Sequence, residues 1–356
     1  MKCLVIGAGG VGGSLAALLA LAGNEVTCVA RGEHKEKMLA HGLRFHSGIK
    51  GEQVVPCYVY DGTGERPGEI GVATAETYRG KAELILVCVK GYSVDSVADC
   101  IVRASGERTV VLPILNVYGS GPRIARACPG SRVIDGCIYI VGYIQAPGEV
   151  TQSGQVCKLV FGARPGDGVS PEELETVRRT LADAGLKAIL SEDIDRDTFA
   201  KWGFISAMAG TGAFFDAPMG AVQREGEERD VFIGLTKEST ALGERLGIRF
   251  REDPVAANLR VIDALDPQTT SSLQKDLKKG RETEIQGQLF DMLDACRKQG
   301  IEAPTYERVV AKFRNSRTRT AQAETETGNS SGRHRFAVVG RRSFYYGMNL
   351  GGRSRR

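Results

Sequence analysis

Histidine is scarce in this chain of 356 residues: there are four, at positions 34, 41, 46 and 334, and none between 47 and 333. A substrate-handling half built from the middle and end of the chain therefore has no imidazole to move a proton, and another acid must be sought. Apolar runs of about 18 residues, the length that crosses a bilayer, are also absent. No membrane association is expected. The nine cysteines, scattered from Cys3 to Cys296, include no C-x-x-C pair. Such an odd, unpatterned set predicts reduced, packed thiols in a cytoplasmic protein, and no metal site is expected. Lys2 leads straight into a strand-like run, so no secretory leader is expected either.

Strong charge is lacking as well. The chain has 47 Lys and Arg against 43 Asp and Glu; residues 314–356 hold ten Arg and two Glu, so residues 1–313 hold 37 basic against 41 acidic groups. A mildly acidic body gives no support to a nucleic-acid-binding core, and no nucleic-acid partner is expected. The basic stretch 314–356 is rich in Arg, Gly, Ser and Thr and has no sustained periodicity, so it reads as a disordered tail. RNA contact through that tail is the weaker alternative.

The chain does have 42% hydrophobic and 25% charged residues, the balance of a soluble globular protein long enough for two domains. "KCLVIG" (2–7), "EVTCVA" (25–30), "ELILVCVK" (83–90) and "RTVVLPIL" (108–115) are short β-rich runs. Helical patterns at 13–23 and 93–104 separate them. This β–α–β alternation predicts a parallel, doubly wound sheet. A turn followed by β-rich residues over 146–162 predicts a hairpin added to that sheet. Near Asp193 the character changes, and helical patterns follow at 197–215, 228–247, 254–264, 267–299 and 304–313. The expected organisation is α/β: a Rossmann-type domain over 1–193, a mostly helical domain over 194–313 with a candidate homodimer surface, and the tail 314–356.

The first strand runs into Gly7-x-Gly9-x-x-Gly12, which opens a helix; that context raises the motif above chance. Gly7 permits the tight turn, Gly9 admits a pyrophosphate to the backbone, and Gly12 allows close packing of helix on strand. Ala8, Gly10 and Val11 complete the expected phosphate cradle. The second strand ends at Ala30–Arg31, where an NAD-binding protein usually carries a carboxylate for the ribose hydroxyls. An arginine instead offers a cationic fork to a 2′-phosphate, so the expected cofactor is NADP(H), with Lys35 and Lys37 as helpers. A solvated loop charge is the alternative for Arg31.

"TFAKWGFISAMAGTGAFF" (198–215) contains a single charge, Lys201. A lysine in such a run either lines a cleft, where it can donate a proton and stabilise charge on oxygen, or sits at a helix end with its ammonium in water. In "SSLQKDLKKGRETEI" (271–285), Ser272, Asp276, Gly280 and Glu284 fall at four-residue steps. On one helix such a row drifts by about 40° per step, so Ser272 and Glu284 would share only a broad face, unless a bend at Gly280 alters that.

These pieces resemble the ketopantoate reductase (2-dehydropantoate 2-reductase) family over residues 1 to about 312. The resemblance rests on "IGAGGVGG", the "VK" of Val89–Lys90, the "LPxxN" loop at Asn116, "APGEV…LVFG", "FAKW", and "SSLQKDLKKGRETEI" followed by "GIEAPTYERV". It implies NADPH-dependent reduction of a 2-oxo acid to a 2-hydroxy acid in pantothenate synthesis. Position by position, it implies that Lys201 donates the proton to the ketone and that Glu284 binds substrate and organises the lysine. It places Ser272 on the substrate, Asn116 and Lys90 beside the nicotinamide ribose and reacting centre, and Arg31 on the 2′-phosphate. The chain departs from the family at Ile205 and Ala209, four and eight residues after Lys201, where many members carry substrate-contacting asparagines; Ser206 is a candidate substitute. Asn116–Val117 replaces the usual Asn-Gly, and the basic tail has no counterpart. A sibling reductase of another branched 2-oxo acid, or a non-catalytic NADP-binding regulator, are the competing expectations.

Overall fold

The computed structural model describes residues 1–62 and 66–314; the expected disordered tail lies, from residue 315 on, outside the described residues. Two compact units divide between Thr198 and Phe199.

The first unit begins β1 (Lys2–Ile6), α1 (Gly10–Leu21), β2 (Glu25–Val29), α2 (Gly32–His41), then β3 (Leu43–Ser47), β4 (Gly51–Val55), β5 (Cys57–Val59) and β6 (Ile70–Ala73). It continues through β7 (Ala82–Val87), α3 (Val94–Ala104), β8 (Ser105–Pro113), α4 (Ser120–Ala127) and β9 (Arg132–Val133). Seven of these strands form one sheet in the order β5-β6-β2-β1-β7-β8-β9, and every pairing in it is parallel. The chain winds outward from β1 to β2 in one direction and crosses back to β7 in the other. That reversal makes β1/β7 the switch point of a doubly wound sheet, as the β–α–β pattern predicted.

The hairpin lies elsewhere than expected. β10 (Asp135–Ala146) and β11 (Glu149–Gly162) pair antiparallel across Pro147–Gly148, but they belong to a second sheet in the order β10-β11-β3-β4. β12 (Lys187–Leu190), which follows α5 (Pro171–Asp183), also pairs with β11. The edge beside β8 is already taken by β9 through Val110↔Arg132 and Val111↔Val133. β11 finds its parallel partners in β3 and β12 instead.

α1 packs against both sheets. A helix sealed on all sides must be apolar all round, and α1 is: Gly12 to Ala20 are buried, and Leu15, Leu18 and Leu19 are fully so. Each of those leucines contributes about 1.5–3 kcal/mol relative to exposure.

The helical run starts with α6 (Ile194–Phe215), the helix within which the two units divide, and the second unit goes on as α7 (Met219–Val222), α8 (Glu227–Arg245), α9 (Pro254–Asp263), α10 (Ser272–Lys278), a π-turn over Gln286–Phe290, α11 (Asp291–Lys298) and α12 over 304–314. The single helix expected over 267–299 is broken. Gly280 adopts φ +59°, its N–H donates to Leu277 O at 3.0 Å, and Arg281 N–H donates to Asp276 O at 2.9 Å. This is a Schellman stop, which a glycine in the left-handed region makes at little cost.

Candidate functional site

Four of the sequence-selected features stand at the carboxyl ends of four neighbouring strands. Arg31 follows β2, the Gly7–Gly12 turn follows β1, Lys90 follows β7 and Asn116 follows β8. At about 4.8 Å per strand the row spans roughly 14 Å along the sheet edge. Carboxyl ends at a switch point are where open α/β sheets bind ligands.

The turn itself is tight on two sides and open on a third. Gly7 takes φ +107°, and a Cβ there would lie 3.0 Å from Cys88 O. At Gly12 a Cβ would stand 1.9 Å from Gly7 O, so the helix rests directly on the turn. At Gly9, by contrast, a Cβ would meet nothing within 4 Å. α1 has no side-chain cap at Gly9 and no acidic residue in its first turn, which leaves its leading N–H groups to an incoming anion. Ala8 is buried, and Gly10 and Val11 are half-buried.

Arg31 is exposed, and its guanidinium has no ion-pair partner among the described residues. Lys35, half-buried, and Lys37, exposed, follow on α2. Lys90 is half-buried ahead of a short 3₁₀ turn, Gly91–Ser93. Asn116 is half-buried, and its amide makes no hydrogen bond to another described residue.

Sequence reasoning missed two supports of this edge. A Cβ at Gly10 would lie 2.3 Å from the carbonyl of Gly142, so the hairpin backbone presses on the start of α1. His34 Nδ1 accepts the Gly148 N–H at 3.0 Å, tying α2 to the hairpin turn, and burial pushes its pKa down. Nothing in the local spacing links residues 10 and 142, or 34 and 148.

In the second unit Lys201 is the eighth residue of the 22-residue α6 and only 8% exposed. It is not a helix-end lysine reaching water. Its ammonium lies 5.8 Å from the centre of the Phe204 ring. Glu284 is 7% exposed and opens the turn that leads into α11, with Gln288 N–H donating to its carbonyl at 3.0 Å. Two side chains of α6 grip that same turn: Trp202 Nε1 donates to Gly287 O at 2.9 Å and Ser206 Oγ to Gln288 O at 2.6 Å. The segments bearing Lys201 and Glu284 are thereby fastened together.

Ser272 is exposed at the first position of α10, whereas Ser271 is spent on a capping box with Gln274. With α10 ending at Lys278, Ser272 and Glu284 are not on one helix. Ser206 is fully buried and committed to Gln288 O and to Tyr306 Oη at 2.8 Å, so it does not replace a substrate-contacting asparagine. Ile205 is half-buried and Ala209 buried.

The doubly wound sheet, its glycine turn at the switch point and the helical second unit define a Rossmann-type protein. Residues 3–166 match the family model "Ketopantoate reductase PanE/ApbA", and residues 193–316 match the model of its C-terminal part. The chain belongs to the ketopantoate reductase family of oxidoreductases. A 2-dehydropantoate 2-reductase of Mesorhizobium japonicum is 28% identical over 337 residues, covering 88% of this chain and 97% of the relative. The crystal structure of 2-dehydropantoate 2-reductase from Methylococcus capsulatus matches with TM-score 0.75 and 25% identity, over 90% of this chain and 98% of that one. D-mandelate dehydrogenase, solved with NADH and anilino(oxo)acetate, shares the fold at TM-score 0.76 and 20% identity, over 87% of this chain and 96% of its own.

Proposed function

We propose that this chain is an NADPH-dependent reductase that converts 2-dehydropantoate to pantoate. The observation that carries the reading is the strand-end row: an open glycine turn at the switch point, with an arginine that has no ion-pair partner among the described residues closing the next strand. Gly7–Gly12 and the first turn of α1 would hold the pyrophosphate, and Arg31 would take the 2′-phosphate, with Lys35 and Lys37 adding positive charge. Lys90 and Asn116 would flank the nicotinamide end. When bound, the cofactor supplies hydride to the ketone carbon.

Lys201 has the complementary task. As charge grows on the ketone oxygen, its ammonium binds that oxygen more strongly and passes it a proton, which completes the alcohol. The lysine then regains its proton from water. Glu284 orients the ammonium and the substrate, and Ser272 and Asn116 contribute further substrate contacts. The curated 2-dehydropantoate 2-reductases, at 22–28% identity, support this substrate class.

One observation favours a second reading, a sibling reductase of another branched 2-oxo acid. One and two turns beyond Lys201, α6 presents Ile205 and Ala209, neither of which can hydrogen-bond a substrate hydroxyl. A buried hydroxyl left without a partner costs about 1–3 kcal/mol. NADPH oxidation followed across a panel of 2-oxo acids separates the cases. Fastest turnover with ketopantoate supports the first reading, and preference for a 2-oxo acid without a hydroxyl supports the second. Tight NADPH binding with no accelerated oxidation of NADPH by any 2-oxo acid would make the chain a non-catalytic NADP-binding protein.

A further inference from the structure

The grip of α6 on the π-turn has a direction. Gly287 and Gln288 are the residues whose carbonyls accept from Trp202 and Ser206, and both lie within Gln286–Phe290. Trp202 and Ser206 are one helical turn apart, so they hold two successive carbonyls along one face of α6. Glu284 lies three residues before the first of those carbonyls, and Lys201 is the neighbour of Trp202.

The hydroxyl chain behind Ser206 runs to Tyr306, whose phenol also meets Ser239. Ser206 spends its only proton on Gln288 O, so the 2.8 Å contact to Tyr306 must be donated by the phenol. Burial pushes the Tyr306 phenol far above its ordinary range, so it stays protonated and available as the donor. Tyr306 is held in turn: Glu238 accepts the backbone N–H groups of Thr305 and Tyr306 at 2.7 and 2.9 Å, which caps the start of α12. The π-turn is also packed close, since a Cβ at Gly210 would stand 3.0 Å from the Leu289 side chain. A π-turn is a rare, locally widened helix that recurs at functional sites. Here it is clamped by side chains that do not reach solvent, because Trp202, Ser206 and Tyr306 are all at most 2% exposed.

We propose that Trp202 and Ser206, backed by Tyr306, are positioning residues that lock the π-turn to α6 and so set the place of Glu284 relative to Lys201. The inference rests on the reading of Lys201 and Glu284 as proton donor and organising acid. Loss of the Ser206 clamp leaves the fold's apolar contacts in place but lets the turn that carries Glu284 drift. An acid displaced by about 1 Å loses much of its effect on a reacting group.

The test uses the full chain with Ser206→Ala, Trp202→Phe, Glu284→Gln and the double variant Ser206→Ala/Glu284→Gln. Hydrogen exchange of the 284–292 amides, read without cofactor or substrate, should quicken by about tenfold in Ser206→Ala, the scale of a 1.4 kcal/mol local loosening. Exchange in α1 should stay unchanged. With NADPH and the best 2-oxo acid of the panel, Ser206→Ala and Trp202→Phe should each lower kcat by about tenfold while KM for NADPH stays within about twofold. In the double variant the loss should be no greater than in Glu284→Gln alone, because a clamp acting through Glu284 has nothing left to position. If Glu284→Gln slows turnover but the losses multiply in the double variant, or if Ser206→Ala exchanges and turns over like the parent, the positioning role is wrong and the site reading stands. If Glu284→Gln turns over like the parent, both are wrong. Should Trp202→Phe not fold, Ser206→Ala carries the test alone.

Discussion

Gly9 and Gly12 sit three residues apart in one turn, yet alanine at each should fail in opposite ways. At Gly12 the added Cβ would stand 1.9 Å from Gly7 O and 2.9 Å from Cys88 Cβ. Ordinary contact needs roughly 1.5–2 Å more, and α1 has nowhere to move because a sheet lies on each side of it. Overpacking of this kind costs about 1–3 kcal/mol, against a gain of up to about 1 kcal/mol from replacing glycine within a helix. A separation of 1.9 Å from a backbone oxygen belongs at the upper end, about 2–3 kcal/mol, so a net loss of about 1–3 kcal/mol lowers Tm by roughly 2–12 °C. At Gly9 the φ of −69° suits any residue and a Cβ meets nothing, so alanine should be neutral or stabilise by about 0.4–1 kcal/mol through the unfolded chain. The space it fills is the space proposed for the pyrophosphate. NADPH affinity should fall by at least about tenfold, or 1.4 kcal/mol. Thermal melts and calorimetric titration with NADPH read both quantities on the same samples. Wild-type NADPH affinity in Gly9→Ala would refute the placement of the pyrophosphate. An unchanged Tm in Gly12→Ala would refute the packing argument.

Lys201→Ala should lower kcat by roughly 10²–10⁴-fold with little change in NADPH affinity; retention of most turnover would move the proton donor elsewhere. Arg31→Ala should weaken NADPH and leave NADH unaffected, and equal use of both cofactors by the parent chain would sink the 2′-phosphate assignment. Glu173 pairs with Arg132 and accepts the Ser170 N–H, which together hold its carboxyl down at about 2. A depressed carboxylate contributes stability that is present above its unfolded value near 4.5 and is lost as pH falls towards 2. Melts of Glu173→Gln should therefore show a shallower loss of Tm across that window, the glutamine keeping the helix cap, and parallel curves for parent and variant would contradict the assignment.

Local chemistry made much of this protein legible in its sequence. The parallel sheet could be read because β-rich runs ending in glycine alternate with helical patterns, and each property is set by residues within a few positions. Lys201 stood out for the same reason, as a single charge in eighteen residues whose burial then needed a cause. Arg31 could be singled out as a candidate because it falls at the end of the second strand, where the structure also has it, just after β2.

Tertiary structure decided the rest, wherever the partners are distant in the chain. No periodicity tells a hairpin which sheet to join; β9 occupying the edge of β8, and β3 and β12 offering themselves to β11, settled that. The stop at Gly280 is by contrast local, its Schellman bonds reaching back at most five residues, and it puts Ser272 and Glu284 on different elements. Ser206 looked like a substrate group only while its neighbours along α6 were in view. Its proton belongs to Gln288, 82 residues away, and its lone pair to Tyr306, 100 residues away. A buried hydroxyl takes its role from whatever donor or acceptor the fold brings within 3 Å, and one-dimensional spacing carries no record of that meeting.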